Sequence, residues 1–358
     1  MLSPGLRRPV SILVLYSHVE VVTEGEPLDL IADQETVHVA HEISAGLQEV
    51  GYRTACVGVT DDVATALAPF SPAEWVVFNL CESLGGDAAR EPSVPPVLEA
   101  HGFAYTGSPG PVLAACLDKA RTKKTLAAHG LATPRYAVLS SPDQPSDVPL
   151  PALVKPAAED ASAGITLDSV VRDPTALARQ VAYILERYRQ PALVEEFVAG
   201  REFNAAIWGN DPPEPLPLSE IIYQGIEDPL QRLLTYESKW VESSFAYLHT
   251  PAVCPAAVDA ALGERLMHLA LGAYRLMGCR GYARVDMRER DGVPYILEVN
   301  PNPSLVSDGG FARAVRAAGF NQGQMARQIV HLALEHAPAT CPMLVGSTEA
   351  APAPGALR

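Results

Sequence analysis

The chain has no CxxC pair and no histidine at zinc-ligand spacing from a cysteine. Its six cysteines (Cys56, Cys81, Cys116, Cys254, Cys279 and Cys341) are dispersed through 358 residues. That pattern excludes a zinc ribbon or a disulfide framework and reads as the reduced thiols of a cytoplasmic protein. No stretch reaches the ~18 consecutive apolar residues of a membrane span. The first apolar run, Val10 to Tyr16, is short and has no small-residue cleavage site after it, so it reads as a strand rather than a signal peptide. Basic residues are scarce, 27 against 42 acidic, for a formal charge of −15. Nucleic acid and anionic membranes both need a basic surface and are excluded as main partners, although a local cationic pocket is not. The sequence also lacks GxxxxGK[ST], GxGxxG and any evident Ser-His-Asp or Cys-His nucleophile arrangement.

What is present is an ordinary globular composition, 48% hydrophobic and 19% charged, rich in proline at 32 residues. Length alone predicts two or three domains. The first hundred residues alternate strand ("PVSILVLY", "TACVGV", "EWVVFNL") and helix ("DQETVHVAHEISAGLQEVGY", stopped by Gly51), the pattern of a parallel sheet covered by helices. A second block has a helix at "LDKARTKKTLAAHG", strands at "TPRYAVLS" and "PALVKPA", a helix starting on Pro174, and a strand at "PALVEEF". The third opens with "REFNAAIWG" and "PLPLSEIIY". A long polar stretch from Gln224 to about Cys254, a helix, the hairpin "GYARVDMRERDGVPYILEVN" and two short helices follow. From about Ala337 the tail is rich in Pro and Ala and is expected to be disordered. No internal repeat is evident.

The hairpin carries the chemistry. Period-two alternation places Arg284, Asp286 and Arg288 on one face of the first strand. On the second it puts Tyr295, Leu297 and Val299 on one face and Ile296, Glu298 and Asn300 on the other. If Asp286 faces Glu298, then Arg284 faces Asn300 and four polar groups converge. Two carboxylates opposite one another repel, and a divalent cation removes the conflict; an Asp, Glu and Asn oxygen set suits Mg²⁺ or Mn²⁺. A two-residue turn at Asp291-Gly292 would pair Asp286 with Leu297, so convergence requires an odd loop or a bulge, expected around Asp291 to Val293. A surface hairpin with incidental charges is the plain alternative.

Magnesium held by few carboxylates completes its shell with phosphate and water. The chain's candidate phosphate cradle is "LVKPAAEDASAGITL": a strand ending in Lys155, a small-residue loop with Ser162 and Gly164, then another strand. A flexible hairpin turn explains this loop equally well. "LVEEFVAGREF" adds Glu195 and the backbone near Val198, able to read an adenine edge, and a second carboxylate, Glu202, able to hold ribose hydroxyls. Alone it is also a charged strand end.

Taken together and in order, "FNLCESLGGDAARE", "YTGS", "LDKARTKKTLAAHGLATP", "LVKPAAEDASAGI", "LVEEFVAGREF", "YESKW" and "GYARVDMRERDGVPYILEVNPNP" resemble the ATP-grasp superfamily, within it the D-alanine–D-alanine ligase-like branch, over most of residues 75 to 313. The resemblance implies a three-domain α/β and α+β fold. Residues 1–112 form an N-terminal α/β domain, 113–196 the central lobe and 197–336 the C-terminal lobe with hairpin and lid, and ATP lies between the lobes. It implies phosphate contacts from Lys119 and Lys155 with the Ser162–Gly164 loop, and adenine contacts from Glu195, Glu196 and Val198. Phe197 and Leu297 would line the base pocket and Glu202 would hold the ribose. Asp286, Glu298 and Asn300 match metal ligands for two Mg²⁺ (or Mn²⁺) ions. Arg284 matches the group that stabilises a tetrahedral intermediate, and Lys239 a lid residue reaching the γ-phosphate. The implied reaction joins a small-molecule carboxylate to an amine through an acyl phosphate, and the implied assembly is a homodimer through the N-terminal domain.

The chain also departs from that branch. "YSHVEVVTEGE" replaces the N-terminal glycine-serine-glutamate loop, Ala161 stands where a substrate-orienting serine is expected, Trp240 replaces a lid tyrosine, and Ser304 replaces a glycine. Binding of D-alanine in both substrate positions is therefore not expected, and His18, Glu20, Arg90, Trp240, Ser304 and Ser307 are the candidates for selecting substrate instead. A D-alanine–D-alanine ligase with a divergent pocket and a catalytically silent nucleotide sensor are the two alternatives.

Overall fold

The computed structural model describes residues 10–19, 26 and 30–337, with the side chains of 30–34 left aside. The tail beyond residue 337 and Glu20 lie outside the described residues. The chain opens with β1 (Ser11–Ser17), α1 (Leu30–Glu49), β2 (Arg53–Val59), α2 (Val63–Leu67), β3 (Trp75–Leu80), α3 (Val94–Ala100) and α4 (Gly110–Leu117). The three strands form a parallel sheet in the order β2-β1-β3. Apolar residues fill both faces of β1, as a sheet covered on both sides requires: Ile12 and Val14 face one core, Leu13 and Leu15 another.

Next come α5 (Lys119–Ala128), β4 (Tyr136–Leu139), β5 (Ala152–Pro156), β6 (Val170–Val171), α6 (Pro174–Arg187) and β7 (Ala192–Glu196). The strands make an antiparallel sheet ordered β4-β7-β5-β6. Proline at N1 and Asp173, whose side chain accepts the Ala176 N–H at 2.9 Å, start α6. The strand expected at "ITL" does not form. The chain turns through a 3₁₀ turn at Leu167–Ser169 held by a Thr166/Ser169 capping box, and only Val170 and Val171 pair with β5.

The remainder comprises β8 (Arg201–Trp208), β9 (Glu214–Pro215), β10 (Ser219–Ile221), α7 (Tyr236–Trp240), α8 (Phe245–Leu248), β11 (Ala252–Val253) and α9 (Ala260–Met277). β12 (Tyr282–Arg290), β13 (Val293–Asn300), α10 (Gly310–Ala317) and α11 (Gln322–Leu334) complete it. Its sheet runs β11-β10-β8-β12-β13, with β9 paired to β8. α9 covers one face through Leu262, Leu266, Leu269, Ala273 and Met277, and is closed by Asp259 at its N-cap and Gly278 in the left-handed conformation at its C-terminus. On the opposite face, Phe311 of α10 packs against Tyr282 at one end and the site occupies the other.

α10 and α11 do not pack on their own sheet alone. Phe311, Met325 and Ile329 share one core with Ile12 and Val14 of β1 and with Ile43 and Leu47 of α1. α1 and α11 touch backbone to backbone: a Cβ on Gly323 would sit 2.4 Å from the Gly46 carbonyl oxygen. This fixes α1, and the carboxylates on it, against the C-terminal lobe.

Candidate active site

β12 and β13 join through a two-residue turn at Asp291-Gly292, with φ of 55° and 78°. Both values lie in the left-handed region that this tight hairpin turn requires. The ladder runs regularly from Arg290 opposite Val293 to Met287 opposite Ile296, then shifts, so that Asp286 faces Glu298 and Arg284 faces Asn300. The bulge that brings the carboxylates together is therefore at Leu297, not in the turn where it was expected. The shift changes strand parity: Ile296 and Val299 both enter the core beneath α9, and Leu297 turns to the cleft. The face assignment of Tyr295, Ile296 and Leu297 by strict alternation fails for this reason.

Four cations gather round the paired carboxylates. Lys119 Nζ lies 3.2 Å from Glu298 and 2.8 Å from Asp160. Arg284 makes a two-pronged pair to Asp286, 2.7 and 2.8 Å, and Asn204 and Asn300 donate to the same carboxylate at 2.7 and 3.0 Å. Lys155 and Lys239 add their charge toward Glu298. Burial alone would raise Glu298, but Lys119, Lys155, Lys239 and Arg284 hold its carboxyl well below the usual range. Burial likewise works against Lys119, and Asp160 and Glu298 outweigh it and keep the ammonium raised. For Asp286 burial wins over Arg284 and its carboxyl is raised. Lys239 is lowered by burial despite Glu298, and its ammonium makes no hydrogen bond or ion pair among the described residues.

Among the described residues no three His, Cys, Asp or Glu side chains form a metal cluster. The oxygen set on offer is two carboxylates and the Asn300 amide, hard donors that fit Mg²⁺ or Mn²⁺ sharing its shell with phosphate.

These groups floor one end of a cleft of about 1070 Å³. Lys119 opens onto a small adjoining recess instead, with Lys155, Asp160, Ser162 and Glu298. Toward the lobe junction the cleft is lined by Glu195, Glu196, Phe197, Val198, Glu202 and Leu297. Arg288, 3% exposed, donates to Glu202 at 2.9 and 2.7 Å and to the Val198 carbonyl at 3.1 Å, while its guanidinium stacks 4.9 Å over Phe197. It also reaches the Arg232 carbonyl and the Tyr223 hydroxyl. Glu196 turns to Arg290 at 2.8 Å. Glu195, 1% exposed, sits between Lys155 at 2.9 Å and Lys123 at 3.4 Å, which together outweigh burial and lower its carboxyl.

The segment around α7 covers this floor. Trp240 Nε1 donates to the Ala161 carbonyl at 3.1 Å, Ser162 Oγ to the Leu234 carbonyl at 3.2 Å, and the Tyr236 N–H to the Ile165 carbonyl at 3.1 Å. Ala161 and Ser162 both have positive φ, 55° and 65°, a left-handed backbone curl in the cleft lining. Gly164 does not face the cleft. A Cβ there would sit 2.8 Å from the Pro156 ring, so its glycine serves the close packing of the turn.

The far end is acidic. Glu35, Glu242 and Asp308 line it, with Arg313 as the nearby cation. Burial, and then Asp308, push the Glu35 carboxyl up to about 7. Ser304 reaches Glu35 at 3.5 Å and Ser307 reaches Glu42 at 3.1 Å, so both serines stand at this end, whereas Trp240 lines the cleft beside Ala161. Arg90 and His18 are not in the cleft lining. Arg90 is turned away by Asp61, 2.6 Å from its guanidinium, and by the Leu84 carbonyl at 3.2 Å. His18 is exposed beside Gly58. Sequence reasoning missed Lys123, Asp160, Glu35 and Asp308. Only Lys123 had a legible signal, its i,i+4 spacing from Lys119 on one helix face.

The family model for the D-ala D-ala ligase C-terminus matches residues 126–331. The D-alanine–D-alanine ligase of Desulforudis audaxviator is 36% identical over 315 residues, 86% of this chain and 96% of the relative. The chain belongs to the D-alanine–D-alanine ligase family. As a member of this family it is an ATP-dependent carbon–nitrogen ligase. Another family relative, the uncharacterized protein y4sG of Sinorhizobium fredii, is 33% identical over 82% of this chain and 87% of its own length. The D-alanine–D-alanine ligase of Bacillus anthracis, solved in complex with ATP, superposes with a TM-score of 0.71 over 91% of this chain and 97% of that one, at 22% identity. That likeness gives the fold, ATP-grasp.

Proposed function

We propose that the protein ligates a small amino-acid-like carboxylate to an amine through an acyl phosphate, releasing ADP and phosphate. The observation that carries this reading is the charge polarity of the cleft. A chain of net charge −15 gathers Lys119, Lys155, Lys239 and Arg284 about one carboxylate pair, and leaves Glu35 and Asp308 at the other end. The first end suits a triphosphate and the second an ammonium group.

In this reading the nucleotide base lies against Phe197 and Leu297, with Glu195, Glu196 and Val198 at its edge and Glu202 at the ribose. Lys119, Lys155 and the Ala161–Ser162 curl hold phosphate oxygens. Asp286, Glu298 and Asn300 would hold one or two Mg²⁺ or Mn²⁺ ions, whose charge, when bound, offsets that of the transferring phosphoryl group. The substrate carboxylate oxygen attacks the γ-phosphorus and the bond to the β,γ-bridging oxygen breaks, leaving ADP. The amine then attacks the acyl carbon, and Arg284, oriented by its two-pronged pair to Asp286, donates to the oxyanion before phosphate departs. Lys239 approaches from the lid, and the Trp240 contact with Ala161 keeps the lid shut against water that would hydrolyse the acyl phosphate. Ser304, Ser307 and Glu35 select the substrate.

A second reading, ligation of two D-alanines, is favoured by the name of the Desulforudis audaxviator relative. ADP release measured with ATP, Mg²⁺ and a panel of single and paired amino acids separates the two. The first reading expects release that depends on a pair other than D-alanine with itself. Release with D-alanine alone supports the second, and no release with any carboxylate leaves a nucleotide-binding protein without turnover and overturns both.

A further inference from the structure

Glu195 is the most completely buried carboxylate in the cleft wall, and both lysines that neutralise it approach the same oxygen. Lys155 lies 2.9 Å and Lys123 3.4 Å from Oε1. The two lysines are not equivalent. Lys155 lines both the cleft and the recess beside it, so an anion in the cleft can reach it. Lys123, 1% exposed, lines neither and lies behind the carboxylate. Its ammonium donates to Thr133 Oγ1 at 3.0 Å, and that hydroxyl donates to the Ile296 carbonyl at 2.9 Å, one residue before the Leu297 bulge.

A buried carboxylate with a single counter-ion resists surrendering it, because the charge left behind has neither water nor a partner. If Lys155 were the only cation on Glu195, moving it to a phosphate would strand Glu195 and nucleotide binding would bear that cost. We propose that Lys123 is a positioning residue that takes over Glu195 when nucleotide phosphates draw Lys155 away, and so keeps Lys155 available to the phosphates. The inference rests on the reading above that phosphate meets Lys155. Through Thr133 and the Ile296 carbonyl, the same ammonium anchors the strand at the point that sets the Asp286–Glu298 register.

The test is calorimetric titration of the intact protein with ADP and with adenosine, which carries no phosphate. Lys123→Met should weaken ADP about tenfold or more and adenosine less than threefold, since only the phosphates compete for Lys155. Lys123→Arg, which keeps the charge, should stay within threefold of the wild type for both. On a Glu195→Gln background no charge remains to be stranded, so adding Lys123→Met should change ADP affinity by less than threefold. Lys123→Gln carries the same expectations as the methionine variant if the latter fails to fold. Equal losses for ADP and adenosine, or the same ADP loss on both backgrounds, would overturn the proposal and leave Lys123 a packing residue. Failure of the underlying reading looks different: the wild type binds no ADP, or Lys155→Ala leaves ADP affinity unchanged.

Discussion

Arg288 offers the sharpest test of how this cleft is held together. Its guanidinium serves one carboxylate, Glu202, two backbone carbonyls, Val198 and Arg232, and the Tyr223 hydroxyl, all from a position 3% exposed to solvent. Arg288→Met keeps the stem volume and removes every donor. Breaking a buried ion pair by deleting one partner costs about 3 to 5 kcal/mol, and each carbonyl left without a donor adds about 1 kcal/mol. Tyr223 still donates to Glu202 at 2.6 Å, so the carboxylate keeps one partner and the lower end of the first range applies. The sum is a loss of about 5 kcal/mol, read as a fall in the urea midpoint by tryptophan fluorescence. The double substitution Arg288→Met/Glu202→Gln removes the stranded charge and should recover about half of the loss. A single variant within about 1 kcal/mol of wild type would refute the reasoning, as would a double variant no more stable than the single.

Glu35 gives a pH signature. Its folded carboxyl is raised from 4.5 to about 7, so wild-type stability from this group is present below pH 4.5 and lost as pH rises through 7. Glu35→Gln removes that loss and should be more stable than wild type at pH 8 by about 1 to 2 kcal/mol, after allowing for its half-exposed position, with little difference at pH 5. Parallel stability curves at the two pH values would contradict this. Gly200 opens β8 where a Cβ would stand 1.8 Å from the Glu289 carbonyl oxygen of β12. Gly200→Ala should cost about 2 to 3 kcal/mol by thermal melt, and a neutral result would show that β8 and β12 can part freely at this end. Glu298→Gln should abolish phosphoryl transfer while the protein still folds, at a lower melting temperature because Lys119 loses a carboxylate partner; retained ADP release would contradict the metal role proposed for it.

The alternation of apolar strands and helices was legible in the sequence because each element satisfies its own period. The convergence of Asp286 and Glu298 was legible too, as a parity argument that demanded an extra residue somewhere in the hairpin. Its position was not, because a bulge at Leu297 is chosen by which side chains the core under α9 accepts, Ile296 and Val299, and not by the turn. Arg90 looked like a substrate cation only while Asp61, 29 residues earlier, was unplaced. Glu35 and Asp308 were invisible for the same reason: one lies on α1, the other just before α10, and only the shared core of α1, α10 and α11 brings them to one end of the cleft. Local signals survive without tertiary structure, whereas pairings between distant segments do not.

In the proposed reaction the cleft activates a carboxylate by joining it to the γ-phosphorus of ATP. The direct measurement uses an amino-acid substrate labelled with ¹⁸O in its carboxylate, followed by mass spectrometry of the inorganic phosphate released with ADP. The account predicts that one labelled oxygen per turnover appears in the phosphate. Phosphate that carries no label, while ligated product accumulates, would contradict it.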